Sequence, residues 1–326
     1  MKIWKHTPMD AALLALSVGQ WGATWWLAAT WDASSVLARA LGFALLVAMM
    51  TYNIIIVSHL FTHAAWFEAR WLNALVSTLN SINIGQSVEA YRLSHVRNHH
   101  RYNNDQKGVD GKTKDRSSTY QDGKGEEHAT LFRYAVIGAL STVIKVGGIL
   151  LAIGRAWRVG PHERDLLEYA TKVPATRARE LRQVQRDRIA HAWGVCFFLI
   201  VSWKWTLICY LPAYFLALTL VNVQNYYEHY GAAPSSRYTD SVSHYGRLYN
   251  LLSFNDGYHQ EHHLRPQTHW SCMPKVRHVH EKQLDSVMRT ISPVPAILGF
   301  FDRRRKLLHL RAGATIGVGV VHDRDD

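Results

Sequence analysis

Three histidines crowd into five residues at His259, His262 and His263, inside the stretch SFNDGYHQEHHLRP at residues 253–266. On a helix the spacing i, i+3, i+4 sends their rings to roughly one side, and neutral imidazole is the commonest side-chain ligand for transition metals. Three further groups share this character: His59 and His63 in SHLFTH, His95, His99 and His100 in LSHVRNHH, and His229 in QNYYEHYG. A single histidine on an apolar helix is more often a hydrogen-bonded core residue than a ligand. Repetition at helical spacing reverses that expectation. These nine imidazoles exceed what one four-coordinate zinc can use, whereas two six-coordinate ions could take about four or five each and leave positions open for oxygen.

The other histidines carry no such pattern. His6, His128, His162, His309 and His322 lie outside any spaced group and are expected to be solvated, while His191, His244, His269, His278 and His280 are expected to pack or to face lipid headgroups. The three cysteines, Cys196, Cys209 and Cys272, form no CxxC pair, which argues against a disulfide framework, a zinc ribbon or a fused rubredoxin-like module. The chemistry sits in a reducing compartment or ignores thiols.

Composition points to a membrane. Of 326 residues 48% are hydrophobic, with 12 Trp and 15 Tyr, residue types that gather at membrane interfaces. The formal net charge of +12 comes from basic residues beside apolar runs and not from a nucleic-acid-binding motif, so anionic headgroups and not nucleic acid are the expected partner.

The elements that must position the histidines follow from the apolar runs. Lys2 and Lys5 precede residues 11–30, an apolar stretch long enough to span a bilayer. A second run at residues 35–57 makes the pair a helical hairpin and not a signal peptide. Its loop lacks Lys and Arg, which assigns the N-terminus to the cytoplasm, with Arg39 free to snorkel. The second helix therefore returns to the cytoplasmic face where His59 and His63 appear. Residues 71–86 are interrupted by Asn73, Asn80 and Asn83 and read as a re-entrant or bundle-interior helix. Residues 101–130 have no apolar period and read as a cytoplasmic loop. The basic stretch at residues 155–188 belongs on the same side. Residues 190–224 read as two apolar arms turning at Trp203-Lys204-Trp205, an aromatic pair flanking a snorkelling lysine. Parity then requires residues 131–157, with Lys145, to stay cytoplasmic or re-enter, since one more crossing would separate the histidine groups. The expected fold is an all-α integral membrane protein, a transmembrane helical bundle with a cytoplasmic histidine-rich cap. Residues 1–300 form its domain and residues 301–326 a basic C-terminal tail, where Arg303, Arg304, Arg305 and Lys306 suit lipid headgroups.

The spacing HxxxH, then HxxxHH, then HxxHH resembles the three histidine boxes of the membrane fatty acid desaturase and alkane hydroxylase superfamily. Asn225-Tyr226-Tyr227-Glu228-His229-Tyr230-Gly231 is similar to the extra box of alkane hydroxylases, and NDGYHQEHHLRP, with Pro274 downstream, is similar to the third box of fatty acyl desaturases. The first box lacks the Glu and Lys that alkane hydroxylases carry around the histidines, and the second lacks their Gly before His99 and His100. The resemblance covers roughly residues 51–274.

It implies two non-haem iron ions held by the nine histidines on the cytoplasmic side, with O2 as co-substrate. Asn225 resembles an asparagine that holds a water near the metal. Glu228 and Glu261 adjoin ligands and could orient imidazole N–H groups, and Asn104 and Asp105 resemble polar residues found after the second box. The implied activity is an O2-dependent oxidoreductase acting on a fatty acyl chain, desaturation first, with alkyl-chain hydroxylation or decarboxylation of a fatty acid to a terminal alkene as alternatives. Without a cytochrome-b5-like or CxxC module in the chain, electrons are expected from a separate ferredoxin, rubredoxin or cytochrome with its reductase. The rival is a histidine-rich metal transporter, which predicts ligands in mid-span and not at the ends of spans.

Overall fold

Helix α1 (Asp10–Thr30) and helix α2 (Val36–His63) form the expected hairpin. Ser35 caps α2, its Oγ accepting the Ala38 N–H at 3.2 Å. Arg39 does not reach outward. It folds back over the turn, donating to the carbonyls of Trp31 (3.0 Å) and Asp32 (3.2 Å) and lying 4.9 Å over the Trp31 ring. The computed structural model describes residues 2–151 and 168–311, and among these the strand-like contacts are two isolated bridges, Trp4 with Phe67 and Ser243 with Ile291.

Helix α3 (Arg70–Ile84) explains its asparagines. Asn53 of α2 donates to Gln20 Oε1 of α1 at 2.7 Å and to Asn80 Oδ1 at 3.2 Å, while Asn83 donates to the Ser17 carbonyl at 2.9 Å. These buried amides bond across the point where three helices meet, with the Asn80 Nδ2 left without a partner among the described residues. Asn73 does a different job, pairing with both backbone groups of Phe67 in the turn before α3. The helix ends inside the bundle at Gly85, whose φ of +67° and whose approach to Tyr214 leave no room for a side chain: a Cβ would lie 2.7 Å from the ring. From there the chain continues through helix α4 (Val88–Ser94) to His95. Asp187 fastens this turn, accepting from Ser77, Ser87 and the Glu89 N–H.

Helix α5 (Arg133–Leu151) starts beside the end of helix α7 (Leu211–His229), where Asn222 donates to the Ala135 carbonyl at 3.1 Å, and runs away along it. Helix α6 (Pro174–Trp205) breaks at Ser202, whose φ and ψ of −158° and 96° are extended, and the chain turns into α7. The bend falls where the tryptophan pair predicted it, with one correction. Trp203 faces out, but Trp205 is fully buried, packed with Phe198 and Tyr210 at ring separations of 5.4 and 5.6 Å, since residues two apart on a helix point to nearly opposite sides.

Among the described residues three helical runs are long and apolar enough to cross a membrane: Val36–His63, Arg133–Leu151 and the bent Pro174–His229. Arg133–Leu151 therefore meets the criterion for a crossing where parity expected a cytoplasmic or re-entrant segment; residues 152–157 of that expected segment lie outside the described residues. Helix α1 has the length but is not among the three. Its outward face shows Trp21, Trp25 and Trp26, and that of α2 shows Leu37, Leu41 and Leu45, apolar surface that suits lipid and not water. In the basic tail Arg303, Arg304 and Lys306 are exposed, but Arg305 turns inward to donate to the Tyr227 carbonyl at 2.6 Å.

Candidate metal centre

His59 and His63 close α2, and the third cluster rides on the short helix α8 (His259–Leu264) packed against them. His59 Nε2 lies 3.2 Å from His262 Nε2 and 3.0 Å from His95 Nε2, and His95 Nε2 lies 3.1 Å from His100 Nε2. Adjacent nitrogens on one octahedral ion, at bonds of roughly 2.1 Å, sit about 3.0 Å apart. His59, His63, His95, His100 and His262 together offer ligand atoms within 4.8 Å of one another, and His99, His229 and His263 form a second such group. The two adjoin, with the rings of His100 and His263 4.6 Å apart. His259 stands beside the second group, 4.6 Å from the His263 ring and 5.3 Å from that of His229.

One local distortion lets the second cluster serve both groups. Residues His95–His99 form a wide turn in which the His100 N–H reaches back five residues to the His95 carbonyl. On a regular helix a side chain five positions on points to the far side. The wider turn, a form found often at functional sites, returns His100 to the side of His95 and leaves His99 to the other group. A second wide turn, Asn53–Ser58, directly precedes His59.

The ring nitrogens are sorted into held and open. His99 donates Nδ1–H to Asp115 at 2.7 Å, His229 donates Nδ1–H to the Asp240 carbonyl at 3.1 Å, and His59 donates Nδ1–H to the Ile55 carbonyl at 3.0 Å. Such a bond fixes the tautomer and orientation of a metal-binding imidazole. The opposite nitrogen then carries a lone pair, and the Nε2 atoms of His63, His99, His229, His259 and His263 are buried with no hydrogen-bond partner. Leaving buried acceptors unpaired is costly unless a cation takes them. Burial, reinforced by neighbouring imidazoles, lowers the pKa of His95, His100, His259, His262 and His263 well below the usual histidine range. The rings are thus held neutral, the state that binds metal. An all-imidazole donor set in two adjoining groups fits two ions such as iron.

The polar residues expected nearby take several roles. Glu228 Oε1 lies 3.5 Å from His259 Nδ1, beside the ring but without a hydrogen bond to it, and accepts from Gln224 at 2.7 Å. Gln224 also donates to Asp256, which accepts from the Tyr249 hydroxyl at 2.8 Å and lies 3.7 Å from His59 Nδ1. Glu261 departs from expectation. It faces away from the rings and accepts from Tyr245 (2.6 Å) and Ser243 (3.0 Å), anchoring α8 to the chain before it. Asn225 donates to the Tyr134 hydroxyl. Asp105 accepts the backbone N–H groups of Lys114 and Asp115, each at 2.9 Å, and the Asn104 N–H donates to Asp115 at 2.9 Å, so this pair shapes the loop that aims Asp115 at His99.

Asp115, Asp256, Asp240 and Gln224 were not signalled by the sequence. Asp115 sits in residues 101–130, expected as a solvated loop, yet that loop packs back on the site and buries Asp115, Ser118, Thr119 and Tyr120. Against the cost of burial, the His99 ring and the Ser117 N–H hold the Asp115 carboxyl below the usual carboxylate range. His128 and His309, expected in solvent, are also buried: Tyr120 stacks on His128 at 4.0 Å, His309 meets it at 4.3 Å, and burial pushes the pKa of His128 down to about 2. His269 binds Asp10 at 3.0 Å and ties α1 to the third cluster without joining either metal group. His6 and His278 are exposed; His162 and His322 lie outside the described residues.

A cavity of about 360 Å³ opens onto His59, His95 and His259 between walls that include Ile54, Leu218 and Val221. A second of about 220 Å³ shares Gln86, Tyr91, Ser94, Thr142 and Lys145 with it and continues between α5 and α6. The two cavities therefore adjoin.

Compared with known protein families, residues 34–293 match the family model for fatty acid desaturases. No curated protein gives a significant match.

Proposed function

The chain belongs to the fatty acid desaturase family, and we propose that it is an O2-dependent di-iron oxidoreductase that introduces a double bond into a fatty acyl chain. Family membership implies oxidoreductase chemistry, and the three apolar helical runs accord with a membrane protein. The observation that carries the finer reading is the pair of adjoining histidine groups, one half-buried and one buried, in which no carboxylate takes part among the described residues. Iron held by neutral imidazoles keeps its full positive charge and, when reduced and supplied with O2, brings oxidising power suited to an unactivated C–H bond.

The chain's own residues do the rest. His59, His63, His95, His100 and His262 would hold one ion, and His99, His229 and His263 the other, with His259 beside the second. Asp115 and the Asp240 carbonyl keep His99 and His229 in the tautomer that presents Nε2. Gln224, bonded to both Glu228 and Asp256, joins the carboxylates beside His259 and His59 in one hydrogen-bonded chain. Ile54, Ile55, Leu218 and Val221 give the inner cavity an apolar side along which an alkyl chain can lie, facing polar Asn222, Gln224 and Asn225. We assign the site to the cytoplasmic face, from the charge of the loops, and electron delivery to a separate ferredoxin, rubredoxin or cytochrome with its reductase. Hydroxylation of the same chain is the second reading, favoured by the segment Asn225 to Gly231. Metal transit is disfavoured because the clusters stand at the ends of α2 and α7 and not within them.

Membranes containing the protein, given O2, a ferredoxin system and a panel of free acids, acyl thioesters, phospholipids and alkanes, test this by gas chromatography and mass spectrometry. An unsaturated product of unchanged carbon number is expected. A hydroxylated product would shift the assignment to the second reading, and no oxidised product from any of the panel would contradict both.

A further inference from the structure

The short helix Arg247–Leu252 is built inside out for a surface element in water. Leu248, Leu251 and Leu252 fall at i, i+3 and i+4, on one side of the helix, and are 69%, 76% and 61% exposed. Its polar residues turn inward instead. Asn250 is buried and donates to the carbonyls of His244 (2.9 Å) and Gly246 (3.0 Å), while the Tyr249 hydroxyl donates to Asp256 at 2.8 Å. Water would favour the opposite arrangement, and a grouped apolar surface of this kind marks a contact with lipid or protein. The position of the patch decides between them. The Tyr52 hydroxyl of α2 donates to the Leu252 carbonyl at 2.6 Å. Tyr52 follows Leu41 by eleven residues and Leu45 by seven, about three turns and two turns of helix, and so continues the outward stripe of Leu37, Leu41 and Leu45. We propose that Arg247–Leu252 is a membrane-docking element, with Leu248, Leu251 and Leu252 seated in the lipid of the leaflet on the histidine side.

Depth and charge agree. A hydrocarbon core roughly 30 Å thick takes about 20 residues of helix, which from Val36 reaches to about residue 55. Tyr52 therefore stands in the last turn of the apolar layer, at the interface where tyrosine gathers. The three leucines hang from that point, at the boundary between acyl chains and headgroups where amphipathic helices lie. Arg247 opens the helix and is exposed, residues 241–255 contain no Asp or Glu, and the flanking Asp240 and Asp256 are both buried. An apolar surface with a basic edge and no exposed acid complements a leaflet of anionic lipid. The contact also lies close to the chemistry, since Asp256, bonded to Tyr249 of this helix, is 3.7 Å from His59 Nδ1. The assignment rests on the reading of α2 as a membrane span and not on which reaction the histidines serve.

Site-directed spin labelling of the full-length protein, in vesicles of phosphatidylcholine and phosphatidylglycerol, tests this. Cys209 is buried, and the two exposed thiols are removed by Cys196→Ser and Cys272→Ser. A nitroxide is then attached in turn at Leu251→Cys, at Leu45→Cys on the outward stripe of α2, and at Lys112→Cys, an exposed position in residues 101–130. Power saturation compares collisions with O2, which partitions into lipid, against collisions with a water-soluble nickel chelate. The ratio of O2 to chelate collisions is expected to be several-fold higher for the label at Leu251 than for that at Lys112, and to approach that at Leu45. Metal content and thermal unfolding of each labelled protein establish that the fold persists. A Leu251 label as open to the chelate as the one at Lys112 would overturn the proposal. So would a Leu251 label shielded from both reagents, which would mean that protein and not lipid covers the leucines. If the Leu45 label also meets the chelate freely, α2 is not a span and the membrane reading fails along with the docking helix; a lipid-like Leu45 label beside an aqueous Leu251 label sinks the docking helix alone.

Discussion

Asp115 and His99 are joined at 2.7 Å, carboxylate to Nδ1–H, with both side chains shut away from solvent. The bond turns the Nε2 of His99 toward His229 and His263, so a residue from an irregular loop sets the orientation of a ring in the helical cap.

Removing that carboxylate should loosen one metal group and spare the other. Asp115→Ala is expected to lower metal affinity or activity by roughly 10- to 100-fold, the usual effect of losing a partner of a metal-bound histidine. Asp115→Asn, which can still accept the N–H, should lose less. Metal analysis after dialysis against a chelator checks this; full retention by Asp115→Ala would show that His99 needs no such support.

Histidines inside and outside the metal groups should separate cleanly. His262→Ala, in the first group, is expected to abolish turnover and release iron. His269→Ala should keep its iron and lose stability instead, by roughly 1–3 kcal/mol, because buried Asp10 loses a partner. Iron content and thermal unfolding in detergent distinguish the two, and a His262→Ala protein with full iron and activity would sink the ligand assignment.

The pH dependence follows from the lowered pKa values of His95, His100, His259, His262 and His263. In the unfolded chain these rings take up protons as pH falls through about 6.5, whereas in the folded chain they do not. The unfolded state then binds more protons, so folded stability falls with acidification. Protein stripped of metal should show a midpoint of thermal unfolding that drops steeply from about pH 7 to pH 5; a flat or rising midpoint over that range would contradict neutral, buried rings.

Much of this was legible in the sequence, and the failures have physical causes. The nine histidines and the helix at residues 71–86 could be read because spacing and isolated asparagines are local signals. Asp115 could not, since it meets His99 through a loop held by side-chain bonds to its backbone, from Asp105 to the N–H groups of Lys114 and Asp115 and from Asn98 to the Arg116 N–H. Periodicity carries no trace of such bonds. The same holds for the wide turn at His95–His99, where helical spacing pairs His95 with His99 but the structure groups His95 with His100. Trp203 and Trp205 look alike in sequence, but two residues apart on a helix they face opposite sides, one outward and the other into the core.

Gly85 is where the turn between α3 and α4 is most exposed to a single change. Gly85→Ala must hold a side chain at φ +67° and against the Tyr214 ring, and a loss of roughly 1–3 kcal/mol is expected. Since the turn at Gly85 leads to His95, weaker metal retention should accompany the lower unfolding temperature. An alanine variant as stable as the parent would mean that the turn relaxes without strain.

The most direct measurement is the metal itself. Protein purified from membranes without chelators, with iron and zinc measured by mass spectrometry against protein by amino-acid analysis, should carry about two irons per chain, the number its two adjoining histidine groups can hold. One zinc per chain, or no iron at all, would contradict a di-iron centre and with it the oxidative chemistry built upon it.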